Sequence, residues 1–290
     1  MSGPTVVLER LTRLTPLGIR FWDEAACAVV SEGLVVEVYP RDDPTRRVTA
    51  RPNRVGTFVV PSLPGPRDFD VEFGDGSEEF WRTVRTRPYV IEVRDTRGQY
   101  QPFSVEQTLP ACGPAVPACL PPTSPPSAVV PLFPTASHAV PSGMAVVRAD
   151  LETPVAGRGG RTELAPASWA VLEVQAATMP PVRGMADREG RVAVIVPYPE
   201  PIPGPARPAS PPAAAGASLR EQEWPVRLQV FYEPDDPAPR IPDLGRALAQ
   251  VPAFAWTDAG ATRPLGPQVL RHGQELVVRS IVVTPAASPP

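Results

Sequence analysis

The 290-residue chain has no lysine, two histidines and three cysteines, and it contains no apolar run long enough to cross a membrane. A helical span needs about 18 or more consecutive apolar residues, so the sequence predicts no membrane span. The 28 basic residues are all arginine, are scattered along the chain, and are outnumbered by 31 acidic ones. Because nucleic-acid-binding proteins concentrate a basic excess on one face, we expect no nucleic-acid partner. The first ten residues lack the charged start and apolar core of a secretory signal.

The cysteines predict neither a metal site nor a disulfide framework. Cys27 stands alone, while Cys112 and Cys119 are separated by six residues in a proline-rich segment. Zinc sites use four ligands, usually two closely spaced Cys or His pairs, and this chain has no second pair. A Cys112–Cys119 disulfide fits the length of that loop, but three cysteines without a signal peptide favour a reducing compartment. The sequence leaves their pairing open and indicates no metal and no cofactor.

Proline is abundant, with 43 residues, about 15% of the chain and roughly three times the average usage. The hydrophobic content of 42% is nevertheless enough to bury a core, which excludes global disorder. Short β-branched runs end at proline or glycine about every ten residues, a pattern typical of β-sandwiches. We therefore predict an all-β chain whose strands cover residues 17–22, 34–39, 56–60, 69–73, 80–84, 89–93, 144–149, 169–174, 192–196, 226–232 and 275–283, with one short helix at 242–250.

The distribution of proline predicts two antiparallel β-sandwich domains, at residues 1–109 and 144–290, the second with a Pro/Ala-rich insertion at 201–218. Residues 110–143 form a proline-rich connector, because proline fixes φ and removes a ladder donor. Residues 35–38 and 56–61 are echoed by 171–174 and 190–197, which favours two similar sandwiches. We expect the buried residues to include Val36, Val38, Phe58, Val171, Leu172, Val194 and Val196.

The sequence lacks a recognisable active site, so we predict that the protein is not an enzyme. His138 lies in the connector and His272 in the turn before the last strand, and both are interpreted as surface histidines. Glu78 and Glu79 are adjacent, so in a strand they point to opposite faces, and with the arginines that follow they indicate a solvated hairpin rim. No nucleophile elbow, phosphate loop, dinucleotide fingerprint or zinc-protease motif is found. The arginines of this rim are Arg82, Arg85 and Arg87.

Two further sets of residues have a structural and a functional interpretation. Asp68, Asp70 and Asp75 could suggest calcium, but their spacing departs from that of an EF-hand loop, and a tight hairpin at residues 74–76 is favoured. The tryptophans lie beside apolar residues, which favours core anchors over a carbohydrate-stacking platform. They are Trp22, Trp81, Trp169, Trp224 and Trp256.

Residues 34–61 and 170–197 resemble the carboxypeptidase-regulatory-like, or transthyretin-like, β-sandwich. In that family a strand is followed by an Asp-x-x-Gly turn into the next strand. Asp187-Arg188-Glu189-Gly190 fits this pattern, whereas the first copy lacks the acid before Gly56. The resemblance implies Ig-like or transthyretin-like sandwich domains.

The stretches Gly98-Gln99-Tyr100-Gln101-Pro102-Phe103, 166–173 and 196–201 together resemble accessory proteins of bacterial phage-tail-like contractile injection systems. This similarity runs from about residue 10 to 283. It implies a non-enzymatic structural subunit whose partners are other protein subunits of a large particle, assembled in the cytoplasm and then released or docked to a membrane. The alternative is a surface or secreted β-sandwich module that binds a carbohydrate or protein ligand. The sequence does not identify the residues of a binding surface.

Overall fold

A computed structural model of the protein describes residues 15–64, 77–111, 129–157, 161–176, 179–201, 222–235 and 237–286, without the side chain of Trp81. Most of these residues form strands, and this part of the chain has two six-residue helices, α1 (Glu78–Thr83) and α2 (Leu244–Ala249). The all-β prediction is confirmed. The strands are β1 (Leu17–Ile19), β2 (Phe21–Asp23), β3 (Ala28–Val30), β4 (Leu34–Pro40), β5 (Val48–Pro52), β6 (Phe58–Val60), β7 (Arg87–Asp95), β8 (Phe103–Leu109), β9 (Val130–Pro131), β10 (Met144–Ala156), β11 (Thr162–Pro166), β12 (Val171–Ala176), β13 (Val182–Met185), β14 (Arg191–Pro197), β15 (Glu223–Phe231), β16 (Phe254–Trp256), β17 (Gln268–Arg271) and β18 (Leu276–Thr284).

The chain packs as two compact units. Unit 1 comprises Met1–Phe21, Val29–Val93 and Ser104–Val130. Unit 2 comprises Trp22–Ala28, Arg94–Phe103 and Pro131–Pro290. The domain boundaries expected from the proline distribution stay predictions.

Unit 2 is built on two facing sheets. One has the strand order β11-β10-β18-β16 with β14 also on β10, and the other has the order β13-β12-β15-β17. Because successive side chains of a strand point to opposite faces, alternate residues of each sheet point into the space between them. Each fully buried Val, Leu or Ile contributes about 1.5–3 kcal/mol, so this shared core dominates the stability of the unit. From the strands, its buried members are Ala145, Val147, Ala149, Leu151, Leu172, Val174, Ala176, Val192, Val194, Val196, Val226, Leu228, Val230, Leu270, Ile281 and Val283.

Unit 1 contains a six-stranded sheet with the order β1-β6-β5-β4-β7-β8. The rings of Phe21 and Phe58 meet edge to face, with centroids 5.4 Å apart. The Tyr89 ring is buried, and its hydroxyl donates to the carbonyl of Pro64 at 3.0 Å. Aromatic pairs in this geometry stabilise a core beyond their buried area.

The strands of the sequence echo are arranged differently in the two units. In unit 1, β1 pairs with β6, and β5, β4 and β7 follow across the sheet. In unit 2, β10 pairs with β14, and β13, β12 and β15 are neighbours in the facing sheet. The echoed strands β4 and β6 thus share one sheet, whereas β12 and β14 lie in different sheets, and the expectation of two similar sandwiches stays a prediction. The parallel pairing of β10 with β18 is a departure from fully antiparallel sandwiches.

The predicted core and the predicted C-terminal helix are confirmed. All seven residues expected to be buried are at most 2% exposed. Helix α2 begins after Asp243, whose carboxylate accepts the backbone N–H of Arg246 at 2.8 Å. An acidic residue at this position satisfies a backbone donor that the first helical turn leaves free.

The strand predicted at residues 80–84 is wrong, because these residues belong to or follow α1. The Ser77 hydroxyl accepts the backbone N–H of Phe80 at 3.1 Å, and Glu78 and Glu79 occupy the first turn. Acidic side chains there interact favourably with the free N–H groups of the helix start. The Ser-Glu-Glu sequence was therefore a helix signal that outweighed the alternation of apolar residues. The strand predicted at 69–73, the hairpin at 74–76 and the candidate acids Asp68, Asp70 and Asp75 lie outside the described residues.

A short strand and buried side chains lie in the described C-terminal part of residues 110–143, and the role of this segment as a connector stays a prediction. Val130–Pro131 forms strand β9, and Leu132 and Phe133 are buried. The backbone N–H of Gln101 donates to the carbonyl of Phe133 at 2.8 Å. Apolar side chains between the prolines thus pack into the fold. The free energy gained by burying them exceeds the cost of the backbone N–H donors that proline lacks. Cys112 and Cys119 lie outside the described residues.

A tight turn at residues 187–190 connects β13 to β14. Gly190 has φ +79°, and a Cβ placed there would come within 2.3 Å of the carbonyl oxygen of Leu151. The backbone N–H of Leu151 donates to the Gly190 carbonyl at 2.8 Å. Only glycine combines this left-handed conformation with so close an approach of two backbones.

We expect Gly190→Ala to lower the free energy of unfolding by about 3 kcal/mol, because it adds a backbone clash to left-handed strain. Gly98→Ala is the matched control, since Gly98 has φ +67° and a Cβ placed there would have no neighbouring atom within 4 Å. It should cost about 1 kcal/mol, the left-handed strain alone. Urea unfolding followed by tryptophan fluorescence measures both values. Equal losses in the two variants would contradict the contact with Leu151.

Candidate functional site

A buried carboxylate organises one loop region of unit 2. Asp23 is 7% exposed, and its Oδ1 accepts the backbone N–H groups of Ala25 and Ala26 at 2.8 and 3.1 Å. Its Oδ2 accepts the hydroxyl of Tyr100 at 2.6 Å. A buried charge is tolerated only when it is hydrogen-bonded in this way. The Asp23–Tyr100 bond therefore ties together two segments that lie 77 positions apart.

The environment of Tyr100 keeps its phenol protonated. Burial raises the pKa of Tyr100 above its ordinary value, and the hydrogen bond to Asp23 and the negative charge of Asp23 raise it further. A protonated phenol is the form that can donate to a carboxylate. Tyr100 consequently acts as a structural donor over the physiological pH range.

His138 is buried, at 7% exposure, so its interpretation as a surface histidine is wrong. Its Nδ1 lies 2.9 Å from the carbonyl oxygen of Gln99, and its ring centroid lies 5.2 Å from that of Tyr100. The backbone N–H of Thr135 donates to the same carbonyl at 2.8 Å. Pairing between the segments around residues 99–101 and 133–135 places this histidine inside the fold, which its proline-rich sequence context did not indicate.

A polar cavity of about 350 Å³ lies beside this network in unit 2. Three segments line it, with the residues Gln101, Thr135, Ala136, Ser137, Asp187 and Arg191. The guanidinium of Arg148 donates to the carbonyl of Ala136 and so anchors one wall. Asp187 accepts the backbone N–H and the Nε–H of Arg191 at 2.8 and 2.9 Å, which holds the opposite wall.

His272 lies in the turn before β18, as predicted, but its ring is half-buried in an aromatic cluster. Its centroid is 4.6 Å from that of Tyr198 and 6.5 Å from that of Trp224. The Tyr198 hydroxyl accepts the backbone N–H of Gly273 at 2.8 Å, and the Trp224 indole donates to the carbonyl of Glu200 at 3.1 Å. These contacts stabilise the turn.

An aromatic side chain of an edge strand is exposed in unit 2. β16 lies at the end of its sheet, and Phe254 is 59% exposed. The Phe254 and Trp256 ring centroids are 6.3 Å apart, and the Trp256 indole donates to the Thr284 hydroxyl at 2.8 Å. Val251, three positions before Phe254, is also exposed. We refer to Val251, Phe254 and Trp256 as the edge patch.

The core-anchor interpretation is confirmed for two tryptophans. Trp169 and Trp224 are buried, whereas Trp22 and Trp256 are half-buried. The Trp169 indole donates to the carbonyl of Pro239 at 2.9 Å. Burial of a ring with its N–H satisfied removes it from any stacking platform.

The remaining candidate residues do not come together as a catalytic or metal site. Glu78 and Glu79 lie in α1, and Cys27 is exposed and has a free thiol. Within the described ranges, no three His, Cys, Asp or Glu side chains are grouped as a metal site requires. No hydroxyl or thiol of these ranges is hydrogen-bonded to the imidazole of His138 or His272. The absence of a cofactor and of catalysis stays a prediction.

Neither a scan against models of known protein families nor a search of curated protein sequences finds a match to this chain. In the part of the chain that the structure describes, neither helix has the length and apolar character needed to span a membrane.

Sequence reasoning did not single out the Asp23–Tyr100 hydrogen bond. It forms only because two distant segments pair, and the stretch 98–103 was noted for its family resemblance and not for this contact. Asp187 was predicted to lie in a turn, but the cavity beside it depends on residues 135–137. The edge patch was equally hidden, since Phe254 and Trp256 alternate with a core residue as in any strand.

We expect Tyr100→Phe to lower the free energy of unfolding by about 2 kcal/mol at pH 7, because it leaves the buried Oδ2 of Asp23 without its hydroxyl donor. The pKa of Tyr100 is raised in the folded state from a reference value of 10.0. Tyr100 therefore ionises first in the unfolded chain, and its contribution to stability is lost as the pH rises above 10. The difference between wild type and variant should shrink over that range in urea titrations.

A double-mutant cycle with Asp23→Ala tests the same bond. The two substitutions remove one shared interaction, so their combined loss should be smaller than the sum of the single losses. Full additivity would contradict a direct Tyr100–Asp23 hydrogen bond.

Proposed function

We propose that the protein is a non-enzymatic structural or adaptor subunit of a phage-tail-like contractile particle and acts by docking on other protein subunits. The assignment to such a particle is supported by the resemblance of three stretches, 98–103, 166–173 and 196–201, to accessory proteins of these particles. The all-β construction supports docking, because sandwich edges offer backbone donors and acceptors together with exposed side chains.

The edge patch is the observation that carries the docking role. Large aromatic side chains near the centre of an interface contribute most of its binding energy, whereas scattered exposed apolar residues need no explanation. Phe254 and Trp256 are neighbouring aromatics on a short edge strand, with exposed Val251 close in the chain. A partner that covers Phe254 would remove most of an exposed aromatic ring from water.

The environment of the two histidines supports a non-catalytic role. His138 faces a backbone carbonyl, and His272 stacks on Tyr198 and Trp224. A general base needs a nucleophile or water within hydrogen-bonding reach and a group that orients the imidazole toward it. Neither histidine has a hydrogen-bonded hydroxyl or thiol among the described residues.

The test is sedimentation of the tagged protein expressed in its native cell. We expect it to travel with high-mass particles whose tube and sheath subunits are identified by mass spectrometry. Phe254→Ser should weaken this association about tenfold, because it removes a central aromatic contact. The variant should retain the far-UV circular dichroism of the wild type, since Phe254 points to solvent.

Val55→Ser is the matched control. Val55 is 63% exposed in a turn of unit 1 and lies outside the edge patch, so its loss should leave sedimentation unchanged. Recovery of the wild type only as a free monomer would contradict the proposed function. An equal effect of both substitutions would contradict docking through the edge patch.

A further inference from the structure

The polar cavity of unit 2 contains a buried donor without a partner. Gln101 is 3% exposed and lines the cavity, and its Nε2 has no hydrogen-bond partner in the described part of the chain. An unpaired buried N–H costs about 1–3 kcal/mol, and such groups in proteins are nearly always satisfied. The cavity wall therefore includes a residue whose unpaired amide an acceptor atom of a ligand could satisfy.

The charges of the cavity wall cancel one another. The Asp187 carboxylate and the Arg191 guanidinium are 2.9 Å apart, and the second arm of Arg191 reaches Glu189 at 3.4 Å. In the cavity an anion would meet the Asp187 carboxylate, and a cation would meet the Arg191 guanidinium. The wall thus favours a ligand without net charge.

The two hydroxyl groups of the wall can each donate and accept a hydrogen bond. The Thr135 hydroxyl donates to the carbonyl of Gly98 at 2.8 Å and lies 3.2 Å from the hydroxyl of Ser137. Ser137 is exposed, so its hydroxyl is accessible from solvent. The carboxylate oxygens of Asp187 retain lone pairs beyond those that accept from Arg191.

We propose that this cavity binds a neutral polyhydroxy compound, such as one sugar unit. Each hydroxyl of such a ligand is at once a donor and an acceptor. It can accept from the Gln101 amide and the Arg191 guanidinium while donating to Asp187 and to Ser137. The volume of about 350 Å³ falls in the range of about 300–1,000 Å³ that small-molecule sites occupy. This site is separate from the edge patch and is independent of the docking role.

Saturation-transfer difference NMR on the full chain tests the site with glucose, galactose, mannose, N-acetylglucosamine and rhamnose. Acetamide serves as a probe for a peptide-like ligand. We expect at least one sugar to bind with a millimolar dissociation constant and acetamide to bind more weakly. Gln101→Met keeps the length of the side chain and removes its amide, so it should weaken sugar binding about tenfold.

Gln250→Met is the matched control. Gln250 is a buried glutamine of the same unit, its Nε2 donates to the carbonyl of Trp169 at 3.3 Å, and it does not line the cavity. It should leave sugar binding unchanged. Arg191→Gln alters an exposed side chain of the wall, so it tests the proposal even if Gln101→Met fails to fold. It should also weaken binding.

Three results would overturn the proposal. One is that none of the five sugars binds the wild type. Another is that Arg191→Gln and every folded Gln101 variant bind sugar as tightly as the wild type does. The third is tighter binding of acetamide than of any sugar, which would assign the cavity to a peptide amide of a protein partner instead.

Discussion

The backbone of Leu151, in the middle of the long strand β10, is the point on which unit 2 depends. Its N–H donates to Gly190 and its carbonyl accepts from Ala167, at 2.8 and 2.9 Å, while its side chain is buried in the sandwich core. β10 itself pairs with β11, β14 and β18. β10 therefore links β11, at the edge of the sheet, with the core and with the turn at residues 187–190. Its inward-facing side chains are buried.

The polar cavity depends on the same strand. The turn that Leu151 holds positions Asp187, and Arg148, three residues earlier on β10, donates to the carbonyl of Ala136 on another wall. Gln101 completes the wall from a segment that pairs with residues around Phe133. A rigid strand thus supports a site built from loops, which is the usual division between scaffold and binding residues.

The two proposed surfaces of unit 2 differ in their physical character. The edge patch exposes aromatic surface, and its removal from water is favourable. Such a surface suits docking on a protein subunit. The cavity presents paired charges, hydroxyls and an unsatisfied amide, and it suits a small ligand that forms directed hydrogen bonds. An adaptor that docks through one surface can keep the other free for a ligand.

The sequence by itself determined the all-β class, the seven core residues from Val36 to Val196, and the helix that begins after Asp243. These features depend on neighbours within a few positions, because alternation, proline punctuation and a capping side chain act locally. The sequence also contains the helix signal Ser77-Glu78-Glu79, although the alternation of apolar residues favours a strand there. Only the tertiary structure decided that His138 is buried, that Asp23 meets Tyr100, and that Gln101, Asp187 and Arg191 line one cavity. Those contacts join segments tens of residues apart, and their energy comes from pairing and burial that no local pattern records.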